Sequence, residues 1–163
     1  MLIAGEASGD TLGAELISAL RERLGGREAR FFGAGGPRMQ AAGMEVVLDF
    51  TRNAVFGLEL FKRILEYRRQ FEAMVRLAVE RKPDVVVGVD FGMFNSRFAQ
   101  EIKKRARQSD GWRPKLVQFV SPQVWASRPW RAKKLARNLD LLLTIFPFEQ
   151  SWYARRTPNL RVE

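Results

Sequence analysis

Neither cysteine nor histidine occurs among the 163 residues. The first absence excludes disulfides, thiolate nucleophiles and cysteine-based zinc sites, and it suits a reducing compartment. The second removes the side chain that most often serves as general base or metal ligand near neutral pH. Chemistry in this chain therefore falls to carboxylates, hydroxyls, amides, arginine and lysine. No apolar run approaches the roughly 20 residues that a membrane-spanning helix needs. Glu6 and Asp10 interrupt the place where a secretory signal would carry its apolar core. Neither secretion nor membrane spanning is expected, while association with a membrane surface stays open. Acidic residues are also scarce: 18 Asp and Glu stand against 28 Lys and Arg, a net charge of +10. That balance fits a phosphorylated substrate, an anionic lipid or nucleic acid, and equally a solvated basic surface. Nucleic acid is the weakest of these and no such partner is expected, because the aromatic residues do not interleave with the basic ones along one element.

What is present is an ordinary globular composition, 46% hydrophobic and 28% charged, of single-domain length. A chain of this size buries roughly 70% of its unfolded surface, enough for a true core. Short apolar runs at 2–4, 29–32, 46–48, 85–89, 116–120 and 141–145 read as strands. Helical spacing fills the intervals at 12–24, 37–43, 58–80, 94–106, 129–138 and 148–155. The run Val85-Val86-Val87-Gly88-Val89 is β-branched and continuous, as in a strand covered on both faces. Strand and helix alternate from end to end, which predicts an α/β fold with a doubly wound parallel sheet, Rossmann-like, as one domain over 1–163. Right-handed crossovers then bring the loops after the strands to one edge, where ligands bind in such sheets.

Those loops hold the candidate residues. Gly5-Glu6-Ala7-Ser8-Gly9-Asp10 is Gly-rich and precedes a helix, so its backbone amides can hold an anion. It matches neither a dinucleotide-binding nor a P-loop pattern, and Asp10 can equally be the cap of the following helix with Gly9 as its turn residue. Glu6, just past the first strand, has no capping role at that position. Asp90 closes the most apolar strand; it reads either as a partly desolvated carboxylate suited to general-base work or as a cap on the next helix. Ser121 and Trp125 follow another strand and can hydrogen-bond and stack on a sugar, or Trp125 can plug the domain's own edge. Arg128, Arg131, Lys133, Lys134 and Arg137, with Trp130, form a basic cluster that reads as a phosphate site or as a solvated helix face. Val55, Phe56, Leu58, Leu60, Phe61, Lys62 and Arg63 open the long helix with apolar and basic side chains together, the pattern of an interfacial helix on anionic lipid; packing on the sheet gives the same stripe further along.

Several segments, taken in order, resemble one family, bacterial lipid-A-disaccharide synthase. They are Ile3-Ala4-Gly5-Glu6-Ala7-Ser8-Gly9-Asp10, Gly35-Gly36-Pro37-Arg38-Met39, Val87-Gly88-Val89-Asp90, Phe94-Asn95, Ser121-Pro122-Gln123-Val124-Trp125-Ala126 and Phe146-Pro147-Phe148-Glu149, with Arg131 and Lys133-Lys134 between the last two. The resemblance implies the N-terminal, acceptor-binding half of a GT-B glycosyltransferase, with a donor-binding C-terminal domain outside this chain. It implies transfer of diacylglucosamine from its UDP-activated form to diacylglucosamine 1-phosphate, with release of UDP and without metal or other cofactor. The implied location is cytoplasmic, peripheral on the inner face of the cytoplasmic membrane. On this reading Asp90 is the general base of an inverting transfer. Gly5, Glu6, Ser8, Gly9 and Asp10 shape the acceptor pocket, and Asn95, Ser121, Trp125, Arg128 and Arg131 hold the sugar or its phosphate. The family pattern usually continues after this aspartate with a small residue, proline and a second aspartate; Phe91-Gly92-Met93 stand there instead. Ser127 likewise replaces an aromatic residue. The alternative to an enzyme half is a non-catalytic binding module for anionic lipid or phosphosugar.

Overall fold

The computed structural model describes residues 1–50 and 60–163, with 60–64 as backbone only. Seven strands, β1 (Leu2–Ala4), β2 (Phe32–Ala34), β3 (Glu45–Leu48), β4 (Val85–Val89), β5 (Lys115–Phe119), β6 (Leu141–Leu143) and β7 (Arg161–Val162), form one sheet in the order β3-β2-β1-β4-β5-β6-β7. Every pairing is parallel. The helices are α1 (Ala7–Leu24), α2 (Pro37–Ala41), α3 (Leu60–Arg81), α4 (Gly92–Arg107), α5 (Val124–Ser127), α6 (Arg131–Asn138) and α7 (Pro147–Arg156). The winding reverses between β1 and β4, so the loops leaving those two strands flank the switch point at which doubly wound sheets bind ligands.

The two-residue alternation of side chains along a strand builds a core on each face. Ile3, Val86, Leu116 and Leu142 join Met74 of α3, Phe98 and Ile102 of α4, Leu135 of α6 and Tyr153 of α7. Leu2, Ala4, Val87 and Val89 turn the other way, onto Ile17 of α1 and Met39 of α2. The apolar run at β4 is thus covered twice, as its composition predicts.

Several boundaries differ from the expected ones. The second strand lies at Phe32–Ala34, because Gly33, a turn residue by type, is part of the strand. Its φ is +144°, and a Cβ there would stand 2.0 Å from the carbonyl oxygen of Leu2, so the β1–β2 pairing requires glycine. The first helix begins at Ala7, which puts Asp10 inside its first turn and not at its cap. The expected strand at 141–145 ends at Leu143, and the Thr144 N–H donates to the Glu163 carbonyl beside the unanticipated β7.

Candidate functional site at the sheet switch point

The first turn of α1, which follows β1, and the loop after β4 meet through one hydrogen bond. Ser8 Oγ donates to Asp90 Oδ2 at 2.8 Å, joining residues 82 apart in the chain. Asp90 has φ +41°, a left-handed conformation that aspartate tolerates better than most side chains and that tends to be held where function needs it. Its N–H donates to the Phe119 carbonyl at 2.8 Å, which ties the loop to β5. The cap position of α4 belongs to Phe91, so Asp90 is not a helix cap. Its side chain is exposed, which corrects the expectation of a partly desolvated carboxylate. Among the described residues Ser8 is the one hydrogen-bond partner of this carboxylate, and Oδ1 faces none.

Glu6 occupies the cap position of α1 in extended backbone, yet its side chain makes no capping bond and stands exposed at the mouth of the sheet. The glycines beside it work by clearance. A Cβ on Gly5 would meet the Phe91 ring at 2.5 Å, and one on Gly9 would lie 3.2 Å from Ala4 Cβ and the Val89 carbonyl oxygen. They let the Phe91 ring and α1 close on the sheet.

Three expected pocket residues turn inward. Asp10 is 3% exposed, and its carboxylate accepts from the N–H groups of Gly36, Arg38 and Met39 at 2.9, 3.0 and 3.0 Å. It caps α2, whose own cap residue, Gly36, has no side chain to do so. Asn95 is 4% exposed on the inner side of α4, against Gly88. Both of its amide atoms lack a partner among the described residues, beside a void of about 10 Å³ that Gln118 also lines. Ser121 is 6% exposed and shares a 3.0 Å hydrogen bond with the Tyr153 hydroxyl. Burial pushes the Tyr153 pKa above its ordinary value, against the opposing pull of that bond. None of the three is open to a sugar, because Asp10 faces the start of α2, Asn95 faces β4 and Ser121 faces Tyr153 of α7.

Trp125 is half-buried, edge-on to Phe146 and Phe148 at ring separations of 6.2 and 5.0 Å. Of its two readings, the edge plug fits. Glu149 stands beneath the same cluster, and its Oε2 accepts from the Phe146 N–H at 3.2 Å. Arg128 and Arg131 are exposed on the loop side. Lys134 belongs to the basic cluster read above as a phosphate site or a solvated helix face, whereas Ser96 and Arg97 carry no such signal in the sequence. With Arg131 these line a cavity of about 230 Å³ between α4 and the α5–α6 segment. Position on α4 alone gives no sign of that convergence. Val55, Phe56 and Leu58 lie outside the described residues, as do the side chains of Leu60, Phe61, Lys62 and Arg63. Among the described residues no helix is long and apolar enough to cross a membrane.

A Rossmann-like domain with a serine–aspartate pair at its switch point is the class that this fold and edge define. The family model for lipid-A-disaccharide synthetase matches residues 1–163, and the chain belongs to that family. It is 40% identical over 153 residues to the lipid-A-disaccharide synthase of Rhodospirillum centenum, covering 93% of this chain and 37% of that protein. It is 41% identical over 153 residues to that of Alcanivorax borkumensis (93% and 38%), and 40% identical over 161 residues to that of Pseudomonas putida (98% and 40%). The chain thus spans about two fifths of the length of these curated relatives.

Proposed function

We propose that this chain forms the acceptor side of a GT-B glycosyltransferase that joins diacylglucosamine, supplied as its UDP derivative, to diacylglucosamine 1-phosphate. The observation that carries the reading is the Ser8–Asp90 hydrogen bond at the switch point of a chain from this family. Ser8 holds one carboxylate oxygen and leaves the other to accept a proton. Asp90 Oδ1 takes that proton from the acceptor's 6-hydroxyl as its oxygen attacks the anomeric carbon. The bond to UDP breaks in the same displacement, so the anomeric configuration inverts. Glu6, exposed on the neighbouring loop, lies where it can accept hydrogen bonds from acceptor hydroxyls.

The leaving diphosphate has to be stabilised by groups from a donor-binding domain, and such electrostatic help is often the largest catalytic contribution. This chain by itself is therefore expected to show no turnover. Phe91-Gly92-Met93 offer no second carboxylate; the Phe91 ring stacks on Phe94 at 5.1 Å and covers Gly5, giving the acceptor an apolar wall in its place. The enzyme works peripherally, on the inner face of the cytoplasmic membrane, where both lipid-linked substrates reside.

The test is UDP release by the full-length protein carrying Asp90→Asn. General-base catalysis is typically worth a factor of about 100 to 10,000, so kcat should fall by at least about 100-fold with little change in acceptor KM. A kcat near that of the parent would remove Asp90 from the role.

A further inference from the structure

We infer that the cavity between the first turns of α4 and the α5–α6 segment is a phosphate-monoester site, with Arg97, Arg131 and Lys134 as its cations and Ser96 as a neutral donor. Three observations converge on it. The cavity, about 230 Å³, is lined by those four residues, and no carboxylate lines it. None of the three cations forms an ion pair among the described residues, whereas Arg30, Arg81, Arg105 and Arg161 are each paired with a glutamate. The remaining wall is largely apolar, with Pro122, Val124 and Leu135, so charges at the cavity are less screened than on open surface. Like charges gathered from two helices without a counter-ion repel one another, and a bound anion reverses the sign of that interaction. The larger cavity, about 610 Å³ along α3 and α4, shares Arg97 with it but lacks this character, because Glu72, Glu80 and Glu101 stand there among the arginines.

A monoester suits the site better than a diester. Its second ionisation lies near pH 6, so it carries close to two charges at neutral pH and three strong acceptor oxygens. Gly92 and Met93, at the rim, follow Asp90 by two and three residues. The cavity therefore lies between the helix that follows that carboxylate and the segment that follows β5, whereas Ser8 belongs to the helix that follows β1. Assigning the anion to the acceptor's 1-phosphate rests on the proposed function; the site itself does not. Bound there, the phosphate fixes one end of the acceptor and sets the distance at which its hydroxyl meets Asp90.

Calorimetric titration of the full chain at fixed ionic strength tests the inference, with glucosamine 1-phosphate, glucosamine, dimethyl phosphate and inorganic phosphate as probes. Glucosamine 1-phosphate should bind, and glucosamine and dimethyl phosphate should bind at least about tenfold more weakly. Loss of one hydrogen bond to a charged group costs about tenfold or more in affinity, so Arg97→Gln, Arg131→Ala and Lys134→Ala should each weaken binding by that factor. Lys133→Ala makes the same charge change on the same helix but does not line the cavity, and it should leave affinity within about twofold. These are exposed residues, so the variants should keep the parent's circular dichroism; Ser96→Ala, expected to cost a smaller factor, gives a second reading without altering charge. Inorganic phosphate binding as tightly as glucosamine 1-phosphate would support the site and overturn its assignment to the sugar phosphate. Equal losses from Lys133→Ala and Lys134→Ala, or no binding of any phosphate probe, would overturn the site. Intact binding with no UDP release by the full-length protein would instead count against the proposed function alone.

Discussion

Asp10 and Asp90 flank the same switch point, and their surroundings assign them different work. Asp10 spends both oxygens on three amides, those of Gly36 and Met39 buried and that of Arg38 partly so, and truncating it leaves the two buried donors without water or protein to accept from them. Asp10→Ala should lower unfolding free energy by about 3 kcal/mol, read from urea melts, and Asp10→Asn should recover part of the loss. Asp90 makes one exposed hydrogen bond, and changing it should touch activity and barely stability. Tyr153 adds a pH dependence. Burial raises its folded-state pKa, so the neutral phenol is favoured in the fold. Its contribution is whole below the unfolded value of about 10 and is lost as pH rises through the folded one. The urea midpoint should therefore fall above about pH 10, and Tyr153→Phe should flatten that decline while costing about 1 kcal/mol at neutral pH through the lost Ser121 bond.

Helix α4 is seated on β4 by absence of volume. A Cβ on Gly88 would stand 2.7 Å from Asn95 Cβ, a side chain held by the helix and unable to swing clear. Gly88→Ala should push the helix off the sheet at a cost of about 1–3 kcal/mol, visible in the urea midpoint with an unchanged slope. At this scale much of the architecture was legible. Continuous β-branched residues at 85–89 and helical spacing on either side predict the covered strand and its neighbours, and they place Ser8 and Asp90 together at the edge where the strands end. What escaped depends on partners distant in sequence. Asp10 looks like a cap for its own helix because its true partners, Gly36 to Met39, lie 26 to 29 residues away. Arg97 is an ordinary basic residue on α4 until packing brings it to one cavity with Arg131 and Lys134 of the predicted basic cluster. Arg161–Val162 is too short to show a period, and Gly33 carries a turn residue's identity inside a strand.

For the molecule as a whole, the excess of 10 positive charges favours attraction to an anionic surface, and the proposed function assigns the apolar membrane contact to the Val55–Arg63 segment. Sedimentation with phosphatidylglycerol vesicles should show binding that weakens with salt. Phe56→Ser/Phe61→Ser should reduce it further at every salt concentration; equal binding by parent and variant would exclude the segment from membrane contact. The seven strands also run in one direction, which gives the protein a front and a back. Gly111, in the connection entering β5, lies at the back in open space, whereas Gln123, in the connection leaving it, lies at the front. A label, a fusion partner or a sensor surface attached near Gly111 keeps its distance from both Asp90 and the arginine-lined cavity. The same attachment at Gln123 shadows them, so the polarity of the sheet dictates how the protein can be immobilised without blinding it.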